Sequence, residues 1–528
     1  MKHWFLFAIL ILIFGCKKES KPKVVPKKPE ITLAPVYFKN NGIKIDTLFL
    51  LKFNSKALFN LYQSFHFETV WQSAQKRNLL LDVVKKSEEE GLNPIDFNLG
   101  KLYYFEKNYD KLSNKNKILY DILLTKTFRK YISQLTNGRL NPKALYKNWD
   151  LKPNKMIANA LLIRSIKTDS MATLLENAKP NHLVYQQLKN ALLLIDVYPN
   201  DTLKNIEFKE KIVLNDTNTS IVWVKRKLMY WKDLVAKDSL NTIYDKTTFR
   251  AVIHFQKRHG IIADGIIGQS TIAALNYSKT QRKQQIIANL ERWKWFPNDG
   301  GNQYLIINIP DYKLTYVKKN DTLATQKVIV GSEKRRTPVL SSMLRAAVFN
   351  PTWTVPPTIL NEDVIPATTK DFGYLKSKNI TVYDNKGKEV GASKWQLANA
   401  KKYRYVQSPG SFNSLGMVKL IFPNRFSVYL HDTNHRGFFD KTNRSLSSGC
   451  VRVQNILKLT ESLLDDSDNY SEEKIAAILK TAKSKSIPIN QKIEIHLLYW
   501  TAWSEGNTLI FRNDIYNLDA DLYTKLRN

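Results

Sequence analysis

Cysteine and acidic side chains are both scarce in this sequence of 528 residues. Its two cysteines, Cys16 and Cys450, allow at most one disulfide bond within the chain. Lys and Arg outnumber Asp and Glu by 81 to 47, which gives a formal net charge of +34. Such an excess favours an anionic partner, which could be nucleic acid, an acidic membrane surface or a carboxylate-rich polymer. The charge alone does not choose among these partners.

The amino terminus is strongly apolar but lacks a run long enough to cross a membrane. Trp4 to Phe14 are eleven apolar residues, whereas a membrane-spanning helix needs about 20. A short polar head followed by such a run is typical of a signal peptide. Gly15 before Cys16 resembles the end of a bacterial lipoprotein signal, so we predict a signal peptide over 1–16 that ends at a lipidated Cys16. The alternative is an ordinary signal peptide whose cysteine is incidental.

The next segment, 17–43, begins with a stretch rich in Lys and Pro that has little to bury. It predicts an extended tether of about 3 Å per residue. We therefore expect a periplasmic protein held by a lipid anchor at the cell envelope membrane, with the outer membrane as the favoured site. Export makes nucleic acid a poor partner. If Cys16 is acylated, Cys450 is the only free thiol of the mature chain, and it is either core packing or kept for its reactivity.

The periodicity of apolar residues divides the remaining sequence into domains. Its length predicts two to four folded units, and an apolar content of 43% excludes global disorder. Residues 44–215 have helical spacing and predict a scaffold domain. Residues 300–505 have short runs of period two and predict a β-rich domain, interrupted at about 363–405 by a polar, Lys-rich insert that we interpret as a cap. Residues 506–528 are predicted to be a strand and tail, in which the strand pairs with KIEIHLLYWTAWS across a Gly506-Asn507 turn. The fold class is multidomain α+β.

Residues 216–280 have the pattern of a compact helical unit. The sequence FQKRHG is followed by ADGIIGQST, in which Asp264-Gly265 predicts a tight turn. Gln269 or Ser270 is the expected N-cap of the helix that follows. The series FQxxHG, DGxxG and Thr271 resembles the three-helix peptidoglycan-binding module, which implies peptidoglycan as a partner. The alternative is an unrelated small helical bundle.

The segment from Tyr429 to Asn455 contains the parts needed for acyl transfer by a cysteine. A strand ends at His431, and a Ser-Ser-Gly turn then leads to Cys450. The nucleophile is a thiolate, and a neighbouring imidazole raises the thiolate fraction and returns the proton to the leaving group. Backbone N–H groups in a glycine turn can stabilise the tetrahedral intermediate. A lone cysteine can also be inert packing, but this one lies in a predicted loop.

This segment resembles the catalytic signature of L,D-transpeptidases, in which a histidine precedes a Ser/Thr-x-Gly-Cys-x-Arg motif. The resemblance covers roughly 53–522 and extends to ERWKWFP, VGSEKRRTPVLSS, NPTWTVPPTI and QSPGSFNSLGMVKLIFPN. It implies that Cys450 is the nucleophile and His431 the base, with the backbone carbonyl of Asp432 orienting the imidazole.

The same resemblance assigns five residues to the oxyanion or substrate-binding group. They are Gly449, Ser448, Tyr429, Arg452 and Trp353. Many family members have histidine where this chain has Ser448, so no second base is expected there. Arg452 is either structural or a contact for a substrate carboxylate. Trp353 could line the cleft or lie buried in the β core.

The reaction that the family implies is peptidoglycan cross-linking through a cysteine thioester, with release of D-Ala from a tetrapeptide stem. Two alternatives stay open: a carboxypeptidase or endopeptidase that resolves the thioester with water, and a wall-binding protein without activity. No cofactor or metal is expected. His431 and His435 are four residues apart, but Asn434 and Gly437 disfavour a helix, and no HExxH motif is present.

Overall fold

The computed structural model describes residues 42–154, 158–168, 170–237, 239–296 and 301–528. Cys16, the predicted signal peptide and nearly all of the predicted tether lie outside these ranges. The chain divides into two compact units, one ending at Glu68 and the other spanning Thr69–Asn528. No helix within the described ranges is long and apolar enough to cross a membrane.

The first unit contains two short helices, α1 (Thr47–Leu51) and α2 (Lys56–Gln63). Each begins at a polar cap, because the Asp46 and Ser55 side chains accept hydrogen bonds from backbone N–H groups of the first helical turn. Buried side chains of α2, among them Leu58 and Leu61, form part of its apolar face.

The second unit begins with the part of the predicted scaffold that follows Glu68, and this part is helical as predicted. Its elements are α3 (Ala74–Lys85), α4 (Leu99–Lys107), α5 (Asn114–Asn137), α6 (Pro142–Leu145), the strand β1 (Trp149–Asp150), α7 (Ala158–Lys167), α8 (Met171–Asn177) and α9 (Leu183–Asp196), with 3-10 turns at Ser87–Glu90, Pro94–Phe97 and Tyr109–Lys111. The helix α5 ends where Gly138 takes a φ of +74°, a conformation that favours glycine.

The module has the three predicted helices: α10 (Ser220–Tyr230), α11 (Lys246–Arg258) and α12 (Gln269–Leu275). Gly265 has a φ of +73° and forms the expected tight turn. The predicted N-cap was wrong, because α12 already begins at Gln269 and Gly268 occupies the cap position. Gly268 has no side chain that could cap the helix, so the sequence pattern misplaced the start.

The helix α13 (Lys279–Trp295) follows the module and is buried along most of its length. Its polar side chains are bonded to distant parts of the chain. Asn289 bonds the Thr501 hydroxyl at 2.8 Å, Arg292 pairs with Asp519 at 2.5 Å, and Glu291 accepts from the backbone N–H of Leu140 at 2.9 Å. These bonds connect α13 to the scaffold and to the C-terminal region.

The region from residue 301 onward, called the catalytic region because of the sequence prediction, is a large mixed sheet with helices and a second, smaller sheet. Its elements are β2 (Gln303–Asn308), β3 (Lys313–Lys318), β4 (Asp321–Gly331), β5 (Val339–Met343), β6 (Ala346–Phe349), β7 (Trp353–Thr354), α14 (Pro357–Ile359), a π-helical turn (Leu360–Val364), α15 (Ile365–Lys370), α16 (Gly373–Ser377), β8 (Thr381–Tyr383), β9 (Arg404–Gln407), β10 (Val418–Ile421), β11 (Leu430–His431), β12 (Ser445–Ser447), β13 (Val451–Val453), α17 (Ile456–Leu464), α18 (Ser467–Tyr470), α19 (Glu472–Lys480), β14 (Lys485–Pro488), β15 (Glu494–Leu498), β16 (Ala502–Glu505), β17 (Thr508–Phe511) and α20 (Asp519–Arg527), with 3-10 turns at Ala392–Lys394, Leu397–Lys402 and Arg436–Asp440.

The described strands of the large sheet follow the order β1-β5-β15-β2-β3-β4-β13-β11-β10-β6-β14, with β12 beside β4. The strands β7, β9 and β8 form the small sheet of the inserted cap. The cap has an apolar core of its own that includes Val355, Leu375 and Tyr405. It therefore packs as a distinct body within the catalytic region.

The predicted strand KIEIHLLYWTAWS was wrong as a single element. Its first half, β15, lies inside the large sheet between β5 and β2, whereas its second half, β16, pairs with β17 in a separate hairpin. Gly506 turns this hairpin with a φ of +55°, as expected. The hairpin packs on the scaffold, where Asn190 of α9 bonds the Ser504 hydroxyl at 3.0 Å. The break between the strands has a structural cause, because Thr501 binds α13.

Candidate active site

His431 lies on β11 in the middle of the sheet, between two cationic neighbours. Lys419 of β10 is its antiparallel partner and Arg452 of β13 its parallel partner. The side chain is buried, with 5% of its surface exposed. Burial, followed by the positive charge of Arg452, lowers the pKa of His431 to about 3. The imidazole is therefore neutral at physiological pH.

The strand β11 is held at its end by Asp432. Its carboxylate accepts hydrogen bonds from the backbone N–H of Met417 at 3.0 Å and from Arg436 at 3.2 Å. The backbone carbonyl of Asp432 acts on the imidazole by raising the pKa of His431, in opposition to burial. Within the described chain no atom forms a fully aligned hydrogen bond with His431 Nδ1. That the Asp432 carbonyl orients the imidazole therefore stays a prediction.

Cys450 follows a turn that only glycine adopts readily. Gly449 has a φ of +115°, and its carbonyl accepts a 2.8 Å hydrogen bond from the Thr337 hydroxyl. The Ser447 hydroxyl accepts from the Gly449 N–H at 3.1 Å and donates to the Cys450 carbonyl at 2.5 Å. The Gly449 N–H, a predicted oxyanion donor, is thus engaged within the turn.

The Cys450 thiol is half-buried and retains its proton at neutral pH. Burial raises the pKa of Cys450, while the backbone and phenol of Tyr429 and the charges of Arg452 and Lys419 act in the opposite direction. His431 is not among the groups that shift the pKa of Cys450 in this state, so the role of the imidazole in raising the thiolate fraction stays a prediction.

Tyr429 completes the cluster around the thiol. Its ring centroid lies 5.6 Å from that of His431, and its phenol hydrogen-bonds both the Cys450 and the Trp353 side chains. Burial, and then the negative charge that Cys450 can carry, raises the pKa of Tyr429. Trp353 is half-buried on the cap strand β7. The structure thus brings together Cys450, His431, Tyr429, Arg452 and Trp353.

Comparisons with known proteins match three parts of the chain. The scaffold domain profile covers residues 56–192 and the profile described as "Putative peptidoglycan binding domain" covers 217–275. The L,D-transpeptidase catalytic domain profile covers 302–475, which contains the whole cluster around Cys450. Residues 302–475 thus carry a catalytic domain of the L,D-transpeptidase family. The family and the fold class predicted from the sequence are both confirmed.

One curated relative is a Haemophilus influenzae protein named "Putative L,D-transpeptidase". The two are 36% identical over 242 residues, which is 45% of this chain. The chain spans about half the length of that relative, 49%. A solved structure of an L,D-transpeptidase (residues 123–326) from Xylanimonas cellulosilytica shares 13% identity with a TM-score of 0.18, over 55% of this chain and 98% of that one. So low a score is no basis for a structural argument.

Lys419 is a residue of the candidate active site that the sequence analysis missed. Its ammonium lies 5.6 Å from the ring centroid of Tyr429, and the negative charge that Cys450 can carry raises its pKa against the lowering by burial. The signal that could have revealed it is strand register. Lys419 faces the same side as His431 because the two are direct cross-strand partners.

Arg335 is a second residue that the sequence did not reveal. Its guanidinium bonds Glu362 and Asp363 at the start of the cap with distances of 2.6–2.9 Å. It also donates to the Ser448 hydroxyl at 3.0 Å. The exposed Ser448 side chain thus contacts Arg335, the residue that also binds the start of the cap.

His435 lies apart from the buried cluster. It is exposed in the loop after β11, and its Nδ1 lies 2.5 Å from the Asn434 side-chain oxygen. Within the described ranges, no three His, Cys, Asp or Glu side chains are grouped to hold a metal ion.

Proposed function

We propose that this L,D-transpeptidase forms peptidoglycan cross-links through a thioester on Cys450. The observation that carries the proposal is that His431 on β11 and Cys450, directly before the adjacent strand β13, both lie beside the Tyr429 side chain. This pair can accept a proton during attack and return it later, which acyl transfer requires.

In the first half-reaction the Cys450 sulfur attacks the carbonyl carbon of the amide between the third and fourth residues of a tetrapeptide stem. His431 takes the thiol proton as the carbon–sulfur bond forms. The tetrahedral oxyanion is then stabilised by backbone donors of the 448–450 turn. In the described chain the Cys450 N–H forms no hydrogen bond, so it is a suitable donor. Collapse breaks the carbon–nitrogen bond, and His431 protonates the departing D-Ala amine.

In the second half-reaction an amine of another stem attacks the thioester carbonyl. His431 accepts the amine proton, a new amide forms, and the proton returns to the Cys450 sulfur as it leaves. Water in place of the amine would give hydrolysis. The cap favours the amine, because its strand β7 carries Trp353 to the Tyr429 phenol and limits access of water to the thiol.

Arg452 and Lys419 supply positive charge for the stem carboxylates. The Nε atom of Arg452 is buried and has no hydrogen-bond partner in the described part of the chain. A buried donor without a partner is unfavourable. A carboxylate of the bound stem would satisfy this donor and account for its position.

The test is to incubate the purified chain with a carbapenem and, in parallel, with isolated peptidoglycan. Mass spectrometry should show one covalent adduct on the peptide that contains Cys450, and muropeptide analysis should show new cross-linked dimers. Cys450→Ala should abolish both while leaving the melting temperature unchanged. Cross-linking by Cys450→Ala would contradict the proposal, and shortened uncross-linked stems from the unsubstituted chain would identify a hydrolase.

We further propose that the protein is exported to the periplasm and anchored through acylated Cys16. The support is the sequence of residues 1–43. Metabolic labelling with a fatty acid should mark the unsubstituted protein and leave Cys16→Ser unlabelled. An unlabelled protein in both cases would show that Cys16 is not a lipid anchor.

A further inference from the structure

A groove of about 900 Å³ lies between the scaffold and the catalytic sheet, and none of its lining residues belongs to the cluster around Cys450. One wall is the start of α9, with His182 and Gln187. The other wall is one face of β2 and β3, where Tyr304, Ile306 and Asn308 lie opposite Val317, Thr315 and Lys313 in register.

The lining of this groove is polar but carries little charge. Side-chain amides contribute six residues: Asn181, Gln186, Gln187, Asn302, Asn308 and Asn320. The charged lining residues are Asp311, Lys313 and Glu505. Asp311 is paired with Arg512, and Glu505 accepts a hydrogen bond from the Trp503 indole at 3.0 Å. In a chain with a net charge of +34, a wall with one cation and two anions is suited to a neutral ligand.

Aromatic rings lie beside the amides. Tyr304, Trp500 and Trp503 line the groove, and His182 stacks on Trp293 with ring centroids 4.5 Å apart. Burial lowers the pKa of His182 to about 4, so this ring is also uncharged at neutral pH. Aromatic faces pack against the C–H faces of sugar rings, while amides bond their hydroxyl and acetamido groups.

One amide in the groove has an unused donor. Asn308 is 3% exposed, and its Oδ1 atom accepts from the Trp500 backbone N–H at 3.4 Å. Its Nδ2 atom is buried and has no hydrogen-bond partner in the described chain. Buried donors in native proteins are nearly always satisfied, so an orphan donor at the base of a groove indicates an acceptor supplied from outside.

We propose that this groove binds the N-acetylated glycan of peptidoglycan, with an acetamido carbonyl accepting from Asn308 Nδ2 and a sugar face against Tyr304. The choice of peptidoglycan rests on the proposed function. The groove would hold a glycan strand at a surface formed jointly by the scaffold and β2–β3. Binding there restricts the region that the attached stems can explore, which raises their effective concentration at Cys450.

The experiment measures binding of a hexamer of β-1,4-linked N-acetylglucosamine to the purified chain by calorimetry. Tyr304→Ala and Asn308→Leu should each weaken binding by about tenfold, which corresponds to the loss of one or two contacts. Tyr103→Ala, at an exposed tyrosine on α4, is the matched control and should bind normally. A glucose hexamer, which lacks acetamido groups, should bind more weakly than the acetylated hexamer.

The peptidoglycan-binding module could also bind this probe, so Ile262→Asp on the module is measured alongside. Binding that is lost in Ile262→Asp and retained in both groove variants would overturn the proposal, as would equal affinity for the two hexamers. Melting temperatures establish that each variant is folded. Carbapenem acylation of Cys450 should be unchanged in the groove variants. Hexamer binding without acylation would refute the transpeptidase proposal alone, and acylation without hexamer binding would refute the groove alone.

Discussion

Arg335 donates a hydrogen bond of 3.0 Å to the Ser448 hydroxyl, two residues before Cys450. The same guanidinium pairs with Glu362 and Asp363 at the start of the cap. One side chain thus connects the cap to the turn that presents the thiol. These carboxylates are about half exposed, so each pair is weak and screened by salt, but two chelating carboxylates and one hydroxyl act together.

Arg335→Ala should loosen the cap and slow carbapenem acylation of Cys450 by about tenfold, equivalent to about 1.4 kcal/mol. High salt should also slow acylation of the unsubstituted protein, and it should leave the acylation rate of the variant unchanged. Stopped-flow acylation at two salt concentrations measures both effects. Arg336→Ala is the matched control, because Arg336 bonds a backbone carbonyl at Glu333 rather than the cap. Equal rates for Arg335→Ala and the unsubstituted protein would show that the connection has no role in acylation.

His431→Ala should slow acylation by about two to four orders of magnitude, because it removes the group that accepts the thiol proton. His435→Ala should have a small effect, since His435 is exposed and bonded to Asn434. Single-turnover kinetics of both variants provide the comparison. If His435→Ala reduced the acylation rate more than His431→Ala, the base would be His435 in the loop after β11.

The Cys450 thiol should react with iodoacetamide along a pH profile whose midpoint lies above about 8.5, the ordinary cysteine value. Burial raises its pKa, and Lys419 acts to lower it. Lys419→Ala should therefore move the midpoint to still higher pH and reduce alkylation at pH 8. The exposed Lys386 of the cap supplies a control, Lys386→Ala, that should leave the profile unchanged. A midpoint near pH 6–7 would instead indicate a preformed thiolate–imidazolium pair.

Ile262→Asp should weaken cosedimentation with insoluble peptidoglycan and leave carbapenem acylation nearly unchanged. Ile262 is 56% exposed in the module, and a charge there opposes contact with an apolar part of the wall polymer. Deleting the module would be less informative, because Arg258 bonds the Leu509 carbonyl and His259 stacks near Phe511. Loss of acylation in a folded Ile262→Asp protein would mean that the module shapes the active site.

The sequence predicted those parts of the site that lie close together along the chain. Cys450, His431 and Tyr429 fall within one short segment whose turn and strand could be read directly. Lys419 and Arg335 come from other segments, and they meet the thiol region through strand register and through the cap. Neither contact can be predicted from a local sequence pattern. The position of Lys419 depends on which strands become neighbours, and that of Arg335 depends on how the cap packs.

The same limit explains the errors in the fold. The run KIEIHLLYWTAWS has continuous β-propensity, yet Thr501 bonds Asn289 of α13 and divides the run between two sheets. Such breaks depend on tertiary contacts, which β-propensity along the sequence does not predict. The start of α12 was displaced for a different reason, since Gly268 offers no capping side chain to recognise.

The helix α13 is buried between its neighbours, so the chain cannot be cut next to it without exposing packed surfaces. Gly138 of the scaffold approaches this helix so closely that a Cβ atom there would lie 2.5 Å from Glu291 and Trp295. On its other side, Asn289 and Arg292 satisfy Thr501 and Asp519. A proteolytic fragment that began after α13 would leave these polar groups and a wide apolar surface facing water. The helix and both of its neighbours are therefore one packing unit, and exchanging only the residues after α13 with those of a relative would separate surfaces that are in contact.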